Sequence, residues 1–184
     1  KLSPLPKSAV DFYALKDYNN NIDKFSQFND PIENLRKEIL STNSVSLHIR
    51  RGDYLSQAAR QTYGGICTDD YYKKAMDYIK SKNPDSVFYV FSNDIDWCKE
   101  RYRNEKNIRF VSDYEFASSI DDDKDFAEFF LMSECRNHIL ANSSYSWWAA
   151  FLGSDDVGRV SVVPSKWTNT RQMKDIYSPW MTII

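Results

Sequence analysis

Residues 45–54 read V-S-L-H-I-R-R-G-D-Y, an apolar segment that runs without a break into two arginines, a glycine and an aspartate. The apolar part has the length of a short strand, and the residues behind it have the makeup of an anion-binding turn. The strand would deliver that turn to one edge of a sheet. Gly52 would let the backbone bend where a side chain would clash, and Arg50 and Arg51 would offer fork-shaped donors suited to a phosphate. The same residues also fit a surface turn whose arginines are merely solvated, so the rest of the chain has to decide between the two readings.

Outward from this segment the hydrophobic period switches repeatedly. Pro31 opens a helix that runs to residue 40, ahead of the strand over 45–49. Thr68-Asp69-Asp70 caps a helix whose Tyr72, Ala75, Met76 and Ile79 fall on one face. Then come a strand over 87–91, a short helix over 96–103, a strand over 108–111 and an aromatic-rich helix over 125–136. A strand over 138–141, a helix over 145–152 and a last strand over 159–163, stopped by Pro164, complete the pattern. Five strands alternating with helices predict an α/β fold: an open parallel, Rossmann-like sheet with helices on both faces. In such sheets crossovers are right-handed and ligands bind beyond the carboxyl ends of the strands. The first thirty residues, with Pro4, Pro6 and the asparagines at 19–21, show no sustained period and read as a linker or the end of something absent.

Composition narrows the function classes. A chain of 184 residues with 42% hydrophobic and 15% aromatic content can bury a sizeable core in one domain or slightly more. Lys and Arg number 24 against 26 Asp and Glu, a formal charge of -2, which argues against coating nucleic acid or an anionic membrane by bulk charge. Any anion site must therefore be local. Cys67, Cys98 and Cys135 show no C-x-x-C spacing, so neither a disulfide framework nor a zinc knuckle is suggested, and a reducing compartment is the simplest reading. His48 and His138 lie far apart and leave little material for a His-rich metal centre. No run approaches a membrane span and no secretory segment opens the chain, which starts at Lys1 and reads as a fragment.

At the expected carboxyl ends of the strands stand His48-Ile49-Arg50-Arg51-Gly52-Asp53, Ser92-Asn93-Asp94, Ser112-Asp113 and Asn142-Ser143-Ser144, which together would line one rim. Singly, Asn93-Asp94 and Asn142-Ser143-Ser144 are good helix caps. A helix starting after Ser144 would also aim its free amides at the rim, which suits the anion the arginines would bind, and a diphosphate fits best. The five glycines, at 52, 64, 65, 153 and 158, build neither a G-x-G-x-x-G turn nor a G-x-x-x-x-G-K-[ST] loop, so dinucleotide and P-loop readings are poor. Holding phosphate with arginines in place of a glycine cradle and magnesium is typical of metal-independent transfer from a nucleotide sugar.

The run His48-Ile-Arg-Arg-Gly-Asp-Tyr54, the Phe91-Ser-Asn-Asp94 segment followed by Trp97, and Asp125 through Asn142-Ser-Ser-Tyr-Ser-Trp-Trp-Ala-Ala150 closely resemble glycosyltransferase family 11, the α-1,2-fucosyltransferases, in order and in spacing. The likeness spans residues 44–167. It implies a GT-B-type enzyme of two Rossmann-like domains, with residues 44–184 the GDP-sugar-binding half and residues 1–43 a linker and remnant of the amino-terminal acceptor-side half. It further implies GDP-fucose as donor, a galactose-terminated oligosaccharide as acceptor, and inverting transfer of fucose to a galactose 2-hydroxyl with no metal or other cofactor. Only 47 residues precede His48, fewer than members usually carry, so much of the acceptor half is expected to be missing. A bacterial cytoplasmic enzyme, free or peripheral to the inner membrane, fits these features, and a Golgi-lumenal catalytic domain would read the same.

By this resemblance Arg50 stabilises charge growing on the β-phosphate, with His48 and Asp53 beside it as catalytic candidates. Arg51, Asn93, Asp94, Asp125, Ser143 and Ser144 are the donor-binding candidates. Each has a plainer reading. Arg51 would brace Asp53, which suits a brace better than a general base; no carboxylate can be placed as the base from sequence. His48 would hydrogen-bond inside the sheet, and Asp125 with Glu128 would form a capping box, although related families use an aspartate near this place to read guanine. Asn93 and Asp94 would touch the ribose or the sugar, and Ser143 and Ser144 the phosphate. Trp147 and Trp148 read as packing residues, Asn142-Ser143-Ser144 as a sequon too enclosed for a glycan, and Asp121-Asp122-Asp123 as a solvated loop ahead of a helix. Two alternatives stay open: a nucleotide-sugar or glycan-binding fragment without catalysis, and a metal-dependent transferase using Asp121–Asp123.

Overall fold

The alternating periods resolve into one sheet. The computed structural model describes residues 30–114, 121–153 and 158–184, with residues 30 and 121–123 described by their backbone alone. The unpatterned first 29 residues lie outside it. Helix α1 (Asp30–Ser41) leads into β1 (Ser44–Ile49), a 3-10 turn at Asp53–Leu55 and a short α2 (Gln57–Tyr63). There follow α3 (Asp69–Lys82), β2 (Val87–Ser92), α4 (Ile95–Tyr102), β3 (Ile108–Phe110), α5 (Asp121–Glu134), β4 (Asn137–Ile139), α6 (Ser144–Leu152), β5 (Ser161–Val163) and β6 (Met181–Ile183). All strand pairs are parallel, in the order β3-β2-β1-β4-β5-β6.

The Rossmann-like α/β reading holds, with three differences. A sixth strand, β6, adds to the edge at β5; three residues behind Pro179 carry too little pattern to announce it. The aromatic helix begins at Asp121, four residues ahead of the expected start, so the Asp121–Asp123 backbone is helical and not a loop. The short helix α2 follows the arginine turn where no helix was expected, capped by the Ser56 hydroxyl, which accepts from the Ala59 amide.

Helices cover both faces, which explains why residues 87–91 of β2 form an unbroken run of hydrophobic side chains instead of alternating with polar ones. Val45, Leu47 and Ile49 pack with Phe88 and Val90 beneath α3, through its Tyr72, Ala75, Met76 and Ile79. Tyr89 and Phe91 point the other way, into a cluster with Leu131 and Met132 of α5 and Ile32, Leu35 and Ile39 of α1. Burying an aromatic or aliphatic side chain of this kind contributes about 2–3 kcal/mol. Helix α1 thus shares the sheet's own core, and the Arg36 Nε to Glu134 Oε2 ion pair of 2.6 Å ties it to α5. The alternate residues of β1 are Ser44, Ser46 and His48, all buried. The two serines are answered from β4 and the residue ahead of it: Ser46 Oγ and His138 Nδ1 share a 2.8 Å hydrogen bond, and Ser44 Oγ accepts from the Arg136 amide.

The strand order decides where a ligand can sit. From β1 the chain moves toward β2 and β3, and from β4 it moves away toward β5 and β6, so the crevice beyond β1 and β4 is the switch point of the sheet. Two tyrosines of α3 close the strand ends beneath it. The Tyr71 hydroxyl donates to the Leu140 carbonyl at 2.6 Å, and the Tyr72 hydroxyl to the His48 carbonyl at 3.1 Å. Thr68 caps this helix as expected, its hydroxyl accepting from the Tyr71 amide.

Candidate functional site

Three of the four polar strand ends meet at the switch point. The β1 exit carries the arginine turn, the β4 exit carries Asn142-Ser143-Ser144, and the β2 exit, Ser92-Asn93-Asp94, lies against the turn from the other side. The fourth, Ser112-Asp113, follows β3 at the sheet's edge, where Asp113 pairs with Lys99. Order in the sheet, which sequence periodicity does not encode, separates it from the rest.

Arg50 and Asp53 form a two-bonded pair: Nε donates to Oδ1 at 2.9 Å and Nη2 to Oδ2 at 2.8 Å. The Arg50 guanidinium holds the Asp53 carboxyl below the usual carboxylate range, with the Asn93 amide helping and desolvation opposing. Asp53 in turn raises the pKa of Arg50. The carboxylate is therefore a brace, and one already ionised and occupied is a poor proton acceptor. The expected brace was Arg51; the structure gives that role to Arg50, because the 3-10 turn folds Asp53 back over residue 50. Arg51 turns toward α4, where its Nε donates to Asp94 Oδ2 at 3.0 Å and its guanidinium carbon lies 4.6 Å from the centre of the Trp97 ring.

Asn93 and Asp94 are engaged with the turn itself. Asn93 Oδ1 accepts from the amides of Arg51 and Gly52 at 3.0 and 3.1 Å, and its Nδ2 donates to Asp53 Oδ1 at 2.9 Å. Asp94 occupies the cap position of α4 without capping it, since its carboxylate is turned to Arg51. Gly52 has negative φ, so its role is close approach: a β-carbon there would lie 3.1 Å from the Asn93 carbonyl oxygen.

His48 is buried on the opposite face, its ring 5.6 Å from that of Tyr145. Burial first, and then the Arg50 charge, pull its pKa down to about 3, so the imidazole is neutral at ordinary pH. The Tyr145 hydroxyl donates to the Asp125 carbonyl at 2.7 Å, which joins α6 to α5 beside His48. Asp125 lies in the second turn of α5 and not at its start, so it forms no capping box with Glu128. Its side chain is exposed, and its charge is felt by Arg50. Burial pushes the carboxyl of Glu128, which the sequence offered only as a capping partner, above its ordinary value. Ser143 is buried at the cap position of α6, Ser144 is exposed in its first turn, and no side chain caps the helix. That leaves a positive dipole end open at the crevice.

Asn142 is a bracket. Its Nδ2 donates to the carbonyls of Tyr63 and Trp167, its Oδ1 accepts from the Cys67 thiol, and its carbonyl accepts from the Tyr54 hydroxyl. At 2% exposure it can carry no glycan. Burial pushes the Cys67 thiol up to about 12, which removes it as a nucleophile. Around this bracket a cleft of about 410 Å³ opens between Arg50, Arg51, Arg60, Tyr63, Trp97 and Asn142. Arg50 therefore stands on a divide, with the cleft on its α3–α4 side and His48, Tyr145 and Asp125 on its α5–α6 side. Arg60 and Tyr63 were missed because they belong to the helix that sequence periodicity did not show. Among the described residues no three His, Cys, Asp or Glu side chains gather as metal ligands.

Comparison with known proteins adds chemistry to this geometry. The profile of Glycosyl transferase family 11 matches residues 7–183. An alpha-1,2-colitosyltransferase of Escherichia coli is 42% identical over 135 residues, which cover 73% of this chain and 44% of that protein. The O-antigen biosynthesis glycosyltransferase WbnK of Escherichia coli is 39% identical over 127 residues, 69% of this chain and 40% of that one. The galactoside alpha-(1,2)-fucosyltransferase 1 of Aotus azarae is 34% identical over 113 residues, 61% and 29% respectively. The chain thus spans less than half the length of these curated relatives. No solved structure matches.

Proposed function

This chain belongs to glycosyltransferase family 11, and from that premise we propose that it supplies the donor-binding half of an inverting, metal-independent α-1,2-fucosyltransferase. The donor is GDP-fucose and the acceptor the 2-hydroxyl of a galactose-terminated glycan. The observation that carries the reading is the braced guanidinium of Arg50 at the switch point of the sheet, beside the uncapped start of α6. Asp53 occupies one edge of the guanidinium and leaves the other for an incoming anion. As the sugar bond breaks, negative charge grows on the β-phosphate, and a guanidinium already held in place stabilises it without reorganising. Arg51, held by Asp94 and Trp97, adds a second cation, and Ser143 and Ser144 at the start of α6 add backbone donors. Asp125 lies on the α5–α6 side, where the nucleoside would extend, and is assigned to the guanine edge; the neutral His48 lines that side through Tyr145. The name of one relative refers to O-antigen, which suits a surface-polysaccharide precursor as acceptor and a cytoplasmic enzyme, free or at the inner membrane. No helix among the described residues is long and apolar enough to cross a membrane.

The test is a thermal-shift and calorimetric titration of this chain with GDP, UDP, ADP and GDP-fucose, each with EDTA and with manganese. Guanine-selective stabilisation that EDTA leaves intact is the expected result, worth about 2.7 kcal/mol at a hundredfold excess over Kd. Stabilisation by UDP that requires manganese would replace the reading with a metal-dependent one built on Asp121–Asp123, and no response to any nucleotide would overturn donor binding by this chain. Asp125→Asn should relax the preference for guanine over adenine; an unchanged preference would remove Asp125 from base recognition. Because the chain spans less than half of its relatives, donor binding without transfer is the second reading, and a transfer assay on this chain against a longer parent separates the two.

A further inference from the structure

We infer that Asn93 is the positioning residue of the arginine turn, aiming Arg50 through Asp53. Arg50 and Asp53 are three residues apart, with side chains 35% and 49% exposed. A pair this open is worth little by itself, and its two members can swing together without breaking their mutual bonds. Something outside the pair must fix its direction relative to the sheet. Asn93 is placed to do so. It follows directly on Ser92, which is in register with Ile49 of the neighbouring strand and whose hydroxyl donates to the Ile49 carbonyl at 2.8 Å. Its Oδ1 is itself fixed by two main-chain donors, the amides of Arg51 and Gly52. With that end fixed, Nδ2 points at Asp53 Oδ1, the same oxygen that accepts from Arg50 Nε. One amide side chain thus converts the position of strand β2 into the direction of the guanidinium. The absence of a side chain at residue 52 belongs to the same device, because a β-carbon there would also lie 3.3 Å from Asn93 Nδ2.

The ligand arm of the test rests on the donor reading above; the spectroscopic arm does not. Asn93→Ala is the first variant. Residue 93 is exposed, so the two freed amides are hydrated and the fold should persist. In the parent chain the Arg50 Nε–H, assigned by its loss in Arg50→Lys, is expected as a resolved, slowly exchanging NMR signal; in Asn93→Ala it should broaden or merge with the solvent-exposed arginines. Affinity for GDP should fall about tenfold while affinity for guanosine, which has no phosphate to meet Arg50, stays within about twofold. In an Asp53→Ala background, where the carboxylate route is already cut, Asn93→Ala should change GDP affinity by no more than about twofold. An unchanged Arg50 signal, equal losses for GDP and guanosine, or penalties that multiply across the two sites would each overturn the inference. Should Asn93→Ala not fold, Asn93→Ser, too short to reach Asp53, carries the same comparison. If the parent chain binds neither GDP nor guanosine, the donor reading falls and the Arg50 signal alone decides the role of Asn93.

Discussion

Arg50 and Asp53 show how much one pair of side chains can be asked to do. The pair is half open to water, so its loss should scarcely change stability while removing the group proposed to meet the diphosphate. Arg50→Ala in a full-length parent is expected to lower kcat/KM about a hundredfold or more, an effect of about 3 kcal/mol on the transition state, with an unfolding midpoint close to the parent's. Steady-state kinetics beside urea unfolding checks both halves. The carboxyl of Asp53 is held below its ordinary range, chiefly by Arg50. A depressed carboxylate contributes above its unfolded pKa, about 3.9, and the contribution is lost only as pH falls through the lower folded value. The Asp53 carboxyl-carbon NMR shift should therefore titrate below that of a model aspartate in the parent chain and return toward it in Arg50→Ala. Sequence reading found both arginines and the aspartate and weighed Arg51 as the brace of Asp53 beside its donor-binding reading; the partner is Arg50, because adjacency along the chain says nothing of which guanidinium a 3-10 turn brings under the carboxylate.

Among the elements, α6 is the one on which the site and the packing meet most closely. Its start faces the crevice, and behind its end Gly153 is pressed against α5 and the segment ahead of β5, where a β-carbon would lie 2.1 Å from Arg159 Nη1 and 2.5 Å from the Ser133 carbonyl oxygen. Gly153→Ala is expected to destabilise the fold by about 1–3 kcal/mol through overpacking, read as a lower urea midpoint at unchanged slope. Helix α3 offers a gentler case: Thr68→Ala removes its cap at a cost of about 1 kcal/mol, with the same readout. The existence of these helices was legible in the apolar faces of 69–82 and 145–152, and the Thr68 cap in its own sequence. The start of α5 was not, since three consecutive aspartates fit a loop as well as a first helical turn, where a helix dipole favours them. Helix α2 left no periodic trace because it buries no residue.

For the molecule as a whole, the central strands carry two buried imidazoles, His48 and His138, whose pKa values burial lowers to about 3. On acidification the unfolded chain takes up protons near pH 6.5 that the folded chain refuses, so stability falls as pH drops from there toward 3. Between pH 7 and 5 each histidine should remove about 2 kcal/mol, seen as a fall in the urea midpoint that becomes shallower in His138→Gln. By itself the sequence determined the parallel α/β alternation, the helices on both faces and the polar strand ends, because each follows from local period, capping and the residue types at a strand's exit. The resemblance of its motifs likewise announced the family before any geometry. Only the tertiary structure decided that β4 lies beside β1, which strand end belongs to the edge, and that Asn93 and Asp94 hold the arginines of another strand. Those are contacts across 40 or more residues of chain, set by how strands order themselves to bury two faces at once, and no local pattern carries that order.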